Sequence, residues 1–195
     1  MTQGRKPVIG VLAIQGNFAS HAAALSEAGA RAVEVRKAEE LDEVDGLVLP
    51  GGESTTMLKF LEKRELFEAI KDFCWRRPVF GTCAGAILLA RKVVNPPQRS
   101  LGLLDAVVER NAYGRQIDSS IITAGTSLAG DPLEMVFIRA PRIVETGPKV
   151  EVLARREGYP VLVEQGKVLA ATFHPELSQD RRVHRYFVEM VAVYR

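Results

Sequence analysis

Cys83 lies in a segment whose residue types suit a covalent nucleophile. The sequence Gly81-Thr82-Cys83-Ala84-Gly85 has the G-x-nucleophile-x-G spacing of a nucleophile elbow, with sulfur in place of a serine oxygen. In such an elbow a tight turn from a strand into a helix exposes the central side chain, and small flanking residues keep the turn clear of neighbouring strands. Amide groups at the start of the helix favour the thiolate, and the Ala84 N–H can donate to an oxyanion. The segment therefore predicts attack of Cys83 on a carbonyl group.

A free cysteine can also be a small buried apolar residue, and this alternative applies to both cysteines of the chain. Cys74 lies within a predicted helix, between Phe73 and Trp75 and without flanking glycines, and is predicted to be such a residue. Two cysteines without a CxxC spacing do not make a disulfide framework. Their presence as free thiols predicts a reducing, cytoplasmic location.

The segment His174-Pro175-Glu176 supplies a candidate base and a carboxylate to orient it. Pro175 biases His174 towards an extended conformation, in which residues i and i+2 point the same way, so Glu176 can hold the imidazole ring. His174 would accept the proton of the Cys83 thiol and later deliver a proton to a leaving amine. The alternative for an isolated His-Pro-Glu segment is a surface turn.

The other histidines, His21 and His184, fall on the predicted first and last helices, where a packed or solvated role is expected. Cys83, His174 and Glu176 could ligate a metal in principle, but the elbow spacing suits a nucleophile better. We therefore predict neither a metal site nor a cofactor.

The segment Pro50-Gly51-Gly52-Glu53-Ser54 follows a predicted parallel strand, and ligands bind at that end of the strands in open α/β sheets. Adjacent glycines allow close approach of the backbone to a ligand. We assign Gly51 and Gly52 to a second oxyanion donor and to contacts with the backbone of an amino-acid substrate. The alternative is a turn before a helix, with Ser54 and Thr55 as natural N-cap residues. A phosphate loop is disfavoured because the lysine of GxxxxGK[ST] is missing.

Strands and helices alternate in the first half of the chain, which predicts a mostly parallel sheet with helices on both faces. The predicted strands there are Val8–Ile14, 32–35, 46–49 and 78–80, and the predicted helices are 18–28, one after Ser54, 65–76 and 86–90. In the second half, short strands are predicted at 106–109, 116–122, 135–138, 150–154, 161–165 and 168–172, followed by a helix over 182–194. We expect these strands to add antiparallel edges to the same sheet, within one domain spanning 1–195.

The parallel strands ending at Leu49, Phe80 and Thr172 are expected to deliver their loops to one edge of the sheet. The glycine loop, the cysteine elbow and the His-Pro-Glu segment would then meet there. This convergence favours one site over three unrelated turns.

The composition limits the classes of function. The chain has 195 residues, of which 47% are hydrophobic and 26% charged, and its net charge is +2, which argues against a dedicated nucleic-acid-binding protein. No segment reaches the roughly 18 consecutive apolar residues of a membrane span. The short apolar run near the N-terminus is predicted to be a buried strand, not a signal peptide.

Several segments together resemble a known family. The elbow and Phe173-His174-Pro175-Glu176 resemble the class I, triad-type glutamine amidotransferases. Three further segments are more specific: residues 50–56 (PGGESTT), 109–116 (ERNAYGRQ) and 137–141 (FIRAP). With them, nearly the whole chain resembles the glutaminase subunits of pyridoxal 5′-phosphate synthase, the PdxT family of vitamin B6 biosynthesis.

The resemblance implies a flavodoxin-like three-layer α/β/α sandwich that hydrolyses L-glutamine to L-glutamate and ammonia. It implies that Cys83, His174 and Glu176 form a catalytic triad. By the same resemblance, glutamine is held by Gly52, Glu53, Ser54, Arg110, Ile138 and Arg139, to which the glycine loop adds Gly51. Gln15 resembles a position that helps complete the oxyanion site, assigned above to Gly52 and Ala84, when a partner docks. The arginines suit this role because a guanidinium can bind an α-carboxylate with two hydrogen bonds.

The implied partner is a (β/α)8-barrel synthase subunit of the PdxS type, in a hetero-oligomer that uses the ammonia to make pyridoxal 5′-phosphate. Two alternatives stay open from the sequence. The same chemistry could serve another synthase, such as the one that makes imidazole glycerol phosphate. The chain could also be a non-catalytic module that regulates a synthase by docking.

Overall fold

A computed structural model describes residues 5–112, 119–130 and 132–195 of the chain. The helices are α1 (Phe18–Glu27), α2 (Ser54–Lys63), α3 (Leu66–Arg76), α4 (Ala84–Leu89) and α5 (Arg182–Tyr194). The strands of the first half are β1 (Val8–Leu12), β2 (Arg31–Val35), β3 (Gly46–Leu49), β4 (Val79–Thr82) and β5 (Ala90–Val94). Those of the second half are β6 (Leu104–Glu109), β7 (Ser119–Ala124), β8 (Leu133–Ile138), β9 (Arg142–Thr146), β10 (Glu151–Arg156), β11 (Tyr159–Gln165) and β12 (Val168–Ala171). Two short 3₁₀ helices span Ala38–Glu43 and Pro175–Leu177.

The main sheet has seven strands in the order β10-β11-β12-β4-β3-β1-β2. Strands β2, β1, β3, β4 and β12 are parallel to one another, whereas β11 is antiparallel to both β12 and β10. The predicted mostly parallel sheet with antiparallel edge strands is therefore confirmed.

Two hydrophobic cores cover the two faces of this sheet, because successive residues of a strand point to opposite faces. Val8 and Leu12 of β1 pack on the side of α2, α3 and α4. Ile9 and Val11 of the same strand pack on the side of α1 and α5. Helices on both faces make the three-layer α/β/α sandwich that was predicted.

Part of the second half forms sheets of its own, which corrects the expectation that all of its strands extend the main sheet. Strand β6, predicted at 106–109, pairs with β5 and β9 in a three-stranded sheet, and β8, predicted at 135–138, pairs with β7 in a two-stranded sheet. A short apolar run indicates a strand but not its pairing partner, which depends on distant residues. The predicted strand 116–122 lies partly outside the described residues, and β7 begins at Ser119.

Three other features of the secondary structure and the sheet differ from prediction. Ala90, predicted as helical, is the first residue of β5, a strand that was not predicted. Strand β9 was also missed, because its residues are mostly exposed or half-buried and carry little apolar periodicity. Strand β12 lies inside the sheet, parallel to β4, although it belongs to the half that was expected to supply antiparallel edges.

The topology determines which loops can meet. Strands β3, β4 and β12 are neighbours and run in the same direction, with Leu49 opposite Gly81 and Ala171 opposite Thr82. Their C-terminal loops therefore emerge side by side, as the sequence predicted. No helix in the described part of the chain is long and apolar enough to cross a membrane.

Candidate active site

Cys83 occupies the turn between β4 and α4 in a conformation that side chains rarely adopt. Its φ and ψ are 48° and −103°, outside the regions favoured by residues with a Cβ atom. The Cys83 N–H donates to the carbonyl of Ala171 at 2.9 Å, and the Ile87 N–H donates to the Cys83 carbonyl at 3.2 Å. The turn is thus held from the neighbouring strand and from the helix, which is what a strained backbone conformation requires in order to persist.

The glycines of the elbow are required by the packing around it. A Cβ atom on Gly85 would lie 2.0 Å from the carbonyl oxygen of Leu49, and one on Gly81 would lie 2.6 Å from the backbone of Gly85. Both distances are too short for any side chain. The small residues of the elbow therefore let the helix start directly against β3, as inferred from the sequence.

His174 lies between Cys83 and Glu176. Its Nδ1 atom is 2.8 Å from Oε1 of Glu176, and the ring lines the same cavity as Cys83. The sequence predicted that an extended segment would bring Glu176 beside His174. Instead, Pro175–Leu177 form a 3₁₀ helix that begins after His174. The tight helical turn brings the carboxylate back to the ring.

Burial and hydrogen bonding act against each other in this pair. Burial alone would lower the pKa of His174, but the hydrogen bonds with Cys83 and Glu176 and the negative charges of these two residues outweigh it and raise that pKa to about 10. Burial alone would raise the pKa of Glu176, but the hydrogen bond from His174 and the electrostatic attraction of the neighbouring imidazole rings lower it to about 2. The arrangement favours the imidazolium form of His174 beside an ionised Glu176 carboxylate.

These side chains open into a cavity of about 310 Å³ at the C-terminal edge of the sheet. Its lining includes Gly51, Gly52, Glu53, Ser54, Cys83, Arg110, Ile138, Arg139 and His174. The structure thus gathers the predicted substrate-binding residues around the predicted nucleophile. A volume of this size suits a small metabolite.

Gly51 and Gly52 allow the loop after β3 to pass close to the reactive groups. A Cβ atom on Gly51 would lie 2.5 Å from Cε1 of His174. Gly52 has a φ of +142°, a conformation accessible mainly to glycine. The side-chain amide of Gln15 covers this loop and donates to the carbonyl of Glu53 at 2.6 Å. Gln15 thus contacts the loop predicted to supply the oxyanion donor.

The N-cap of α2 is Glu53, which corrects the expectation that Ser54 and Thr55 cap this helix. The Glu53 carboxylate accepts from the amides of Thr55 and Thr56 at 3.0 and 2.7 Å. These bonds, with the one from the Thr56 hydroxyl first among them, lower the pKa of Glu53 to about 2. The glutamate side chain is one methylene longer than the usual aspartate cap. It still reaches the amides of the first turn of α2 because the preceding glycines position Glu53 there.

Arg110 contacts the same loop from the far side of the cavity. Its Nη2 atom donates to the hydroxyl of Thr55 at 2.9 Å and lies 3.4 Å from the Glu53 carboxylate. Ile138 is the last residue of β8 and Arg139 follows it. The strand is fixed beside the site by a 2.8 Å hydrogen bond from the His174 N–H to the Val136 carbonyl.

Four residues at the site were not predicted from the sequence to be site residues. Asn17 lines the cavity, and its side-chain amide donates to Oε1 of Glu176 at 3.3 Å. Gln98, from a loop that carried no recognisable pattern, accepts a 2.9 Å hydrogen bond from the hydroxyl of Ser54. His21 lies 3.3 Å from Oε2 of Glu176, and Asn111 lines the cavity. A polar residue on the apolar face of a helix, as at His21, is the one local signal, because it requires a buried partner.

The remaining sequence predictions have mixed outcomes. Cys74 is a free, buried thiol whose pKa is raised by burial to about 12, as expected of a packed residue. His21 and His184 are both fully buried. Residues 113–116 of the specific segment 109–116 lie outside the described residues. No cluster of three or more potential metal ligands occurs within residues 5–112, 119–130 and 132–195.

The fold and the site together define a class of protein. A cysteine elbow at the carboxyl edge of a parallel sheet, beside a histidine paired with a carboxylate, is the arrangement of α/β enzymes that attack carbonyl groups through a thiolate. Comparison with known proteins narrows the class. Residues 11–193 match the sequence model of the SNO glutamine amidotransferase family, and the chain belongs to that family.

Curated relatives agree with this assignment. The chain is 60% identical over 183 residues to the pyridoxal 5′-phosphate synthase subunit PdxT of Koribacter versatilis, covering 94% of this chain and 95% of that protein. It is 54% identical over 188 residues to the PdxT subunit of Thermotoga neapolitana, covering 94% and 98%. A crystal structure of a glutamine amidotransferase matches with a TM-score of 0.88 and 47% identity, covering 94% of this chain and 98% of the other. The structure of PurLQS from Thermotoga maritima shares the fold, with a TM-score of 0.72 at 17% identity and coverage of 97% and 99%.

Proposed function

We propose that this protein hydrolyses L-glutamine to L-glutamate and ammonia and supplies the ammonia for the synthesis of pyridoxal 5′-phosphate. The observation that carries the proposal is the hydrogen-bonded pair of His174 and Glu176 beside Cys83, with Cys83 and His174 open to one cavity of about 310 Å³. Membership of the glutamine amidotransferase family supports the substrate. The high identity to PdxT subunits supports the destination of the ammonia.

The reaction begins with the Cys83 thiolate. The sulfur attacks the carboxamide carbon of glutamine, and the carbonyl oxygen becomes an oxyanion that accepts hydrogen bonds from the backbone amides of Ala84 and Gly52. His174 gives its proton to the departing nitrogen, so that ammonia leaves and a thioester remains on Cys83. Water then attacks the thioester while His174 accepts its proton. The products are glutamate and the free thiolate.

Glu176 keeps His174 in the tautomer that this sequence of proton transfers needs. Its carboxylate binds Nδ1 of the ring, so the other ring nitrogen faces the thiol. The carboxylate also stabilises the imidazolium that exists before ammonia leaves. It does not take up a proton itself, in keeping with its lowered pKa.

The remaining lining residues hold the amino-acid part of glutamine. Arg110 and Arg139 supply positive charge for the α-carboxylate, and the Glu53 carboxylate supplies negative charge for the α-ammonium group. Gly51, Ser54 and Ile138 shape the wall against which the substrate lies.

The proposed partner is a (β/α)8-barrel synthase subunit of the PdxS type, in a hetero-oligomer. Gln15, at the rim beside Gly52, is proposed to complete the oxyanion site once this partner docks. We place the protein in the cytoplasm, where its two free thiols stay reduced. The glutaminase domain is proposed to span residues 1–195, without a metal or cofactor.

Substitution of the nucleophile tests the proposal. Cys83→Ala removes the sulfur that forms the thioester, and we expect ammonia release from glutamine to fall by at least about 10³-fold. Release is measured with a PdxS-type synthase subunit present in excess. The control is Cys74→Ala, which removes the other thiol far from the cavity and is expected to leave the rate unchanged. Undiminished ammonia release by Cys83→Ala would refute the proposed reaction. Specific co-purification of a different synthase with the native chain would refute the proposed use of the ammonia in pyridoxal 5′-phosphate synthesis.

A further inference from the structure

A second histidine contacts the carboxylate of Glu176 from the side opposite His174. The Nε2 atom of His21, in α1, lies 3.3 Å from Oε2 of Glu176 and 3.1 Å from Oγ1 of Thr82. The Nδ1 atom of the same ring lies 3.0 Å from Nε2 of His184, in α5. His21, Thr82 and His184 are all fully buried. The polar series that begins at Cys83 therefore continues through Glu176 into the core between α1 and α5.

The hydrogen-bond partners of His21 and His184 determine which ring nitrogen of each histidine carries the proton. The Nδ1 atom of His184 is buried and has no hydrogen-bond partner within the described residues. A bare lone pair there costs less than a buried N–H without an acceptor, so His184 carries its proton on Nε2 and donates to His21. Nδ1 of His21 then accepts, and Nε2 of His21 carries a proton that it donates to Oγ1 of Thr82, with Oε2 of Glu176 3.3 Å from the same nitrogen. The opposite assignment would direct a lone pair at a carboxylate.

Both histidines are neutral in this arrangement. Burial lowers the pKa of His21 to about 4 and that of His184 to about 3, although the charge of Glu176 partly opposes it. The single positive charge beside Glu176 thus resides on His174. A neutral His21 can hold the carboxylate without competing with His174 for its negative charge.

Glu176 depends on this contact for its second oxygen. Oε1 accepts from His174 at 2.8 Å and from Asn17 at 3.3 Å. Oε2 is buried and forms no hydrogen bond within the described residues, so the electrostatic contact with the protonated Nε2 of His21 at 3.3 Å is the interaction that compensates its charge. A buried carboxylate oxygen without a donor is costly and free to rotate away from its position.

We propose that His21 is a positioning residue of the active site: it fixes the Glu176 carboxylate through Oε2, with its own tautomer set by His184, so that Oε1 stays aligned with the His174 ring. The inference rests on the proposed glutaminase function. It assigns a role in the reaction to two histidines that touch neither the cavity nor the substrate.

The substitutions His21→Asn and His21→Gln, which place a side-chain amide at different distances from the backbone, test the role of the Nε2–H group. Glutamine places its side-chain nitrogen close to the position of histidine Nε2, whereas asparagine places its nitrogen close to that of Nδ1. We expect His21→Asn to lower kcat for ammonia release by about 10- to 100-fold, the range for leaving a buried carboxylate oxygen uncompensated, with KM for glutamine unchanged. His21→Gln is expected to retain kcat within about threefold. The assay again contains a PdxS-type synthase subunit in excess.

A second measurement reports the His174–Glu176 alignment directly. The rate of Cys83 alkylation by iodoacetamide is followed against pH on the isolated chain, with Cys74→Ala as background. The charged and titratable groups that face the series are Cys83, His174, Glu176, His21, His184 and Arg181. If Glu176 loses its alignment, the imidazolium form of His174 is less stabilised and its pKa falls. In His21→Asn, the step in the alkylation rate that marks deprotonation of His174 is therefore expected at lower pH. His21→Gln leaves it in place.

Leu25→Ala serves as the matched packing control. Leu25 is buried on the same face of α1 as His21 but belongs to the hydrophobic core. Its truncation is expected to lower the melting temperature while leaving kcat and the alkylation profile unchanged. The inference is overturned if His21→Asn and His21→Gln behave alike, or if Leu25→Ala reproduces the effect of His21→Asn. An active Cys83→Ala protein would instead refute the proposed function, so the two failures are distinguishable.

Discussion

At the residue scale, Arg110 is already ordered by contacts within the proposed substrate site. Only 17% of its side chain is exposed, and its guanidinium is held by Thr55 and Glu53. A side chain that is already ordered loses little conformational entropy when a substrate binds. Arginine is suited to this position because its planar group can contact the protein on one edge and a carboxylate on another.

Replacement of Arg110 by lysine is expected to raise KM for glutamine about tenfold or more, with a smaller change in kcat. The ammonium group keeps the charge but cannot maintain the contacts with Thr55 and Glu53 while also binding a carboxylate at two points. Steady-state ammonia release over a range of glutamine concentrations measures both constants. The comparison variant is Arg64→Lys, which changes an arginine stacked on Phe60 outside the cavity lining. A kcat that falls while KM stays constant would contradict a substrate-binding role.

At the scale of elements, the site depends on how closely α4 approaches the sheet. The helix begins at Ala84, immediately after the strained Cys83, and its second residue lies against the end of β3. The close approach places the Cys83 sulfur, the glycine loop after β3 and His174 after β12 within one cavity. Steric exclusion, more than any attraction, determines which residues can occupy the elbow.

Gly85→Ala is expected to destabilise the protein by roughly 1–3 kcal/mol or more, because its Cβ would lie 2.0 Å from a backbone oxygen of β3 that cannot yield without distorting the sheet. Urea unfolding followed by circular dichroism measures the free energy of unfolding. Gly125→Ala is the matched control, since a Cβ there meets no atom within 4 Å, and a change within about 0.5 kcal/mol is expected. Equal effects of the two substitutions would show that the packing at the elbow is looser than described.

At the scale of the whole molecule, the buried histidines couple the core to the pH. His21 on α1 and His184 on α5 lie in the layer on one side of the main sheet. Their pKa values fall from the ordinary 6.5 to about 4 and about 3. The unfolded chain therefore takes up protons between pH 6.5 and pH 4 that the folded chain excludes, and stability is lost as the pH falls through this window.

His184→Gln is expected to remove part of this acid sensitivity. Each neutral buried histidine contributes a loss of roughly 2 kcal/mol in unfolding free energy between pH 7 and pH 5, so the variant should lose roughly 2 kcal/mol less than the native chain over that interval. His174 has the opposite sign, because its pKa is raised and its contribution disappears as the pH rises above 6.5. That contribution is common to both proteins and cancels in the comparison. Identical pH dependence of urea unfolding in the two proteins would contradict the assignment of His184 as a neutral buried group.

The sequence by itself determined the parallel sheet and the segments that meet at the proposed site. Periodicity of apolar residues is a local property, and it predicted β3 and α5 with the bounds that the structure has. Glycine spacing around Cys83 and the proximity of Glu176 to His174 are also local, because each depends on residues fewer than five apart. The predicted meeting of three loops followed from one general rule about the carboxyl ends of parallel strands.

Only the tertiary structure decided which distant side chains complete the site. Glu176 contacts Asn17, 159 positions away, and His21 contacts His184, 163 positions away. The same holds for strand pairing, where β5, β6 and β9 leave the main sheet to form their own. Such contacts follow from how helices and strands pack across the core, and a chain segment carries the polarity of its side chains but no record of the partners that will satisfy them.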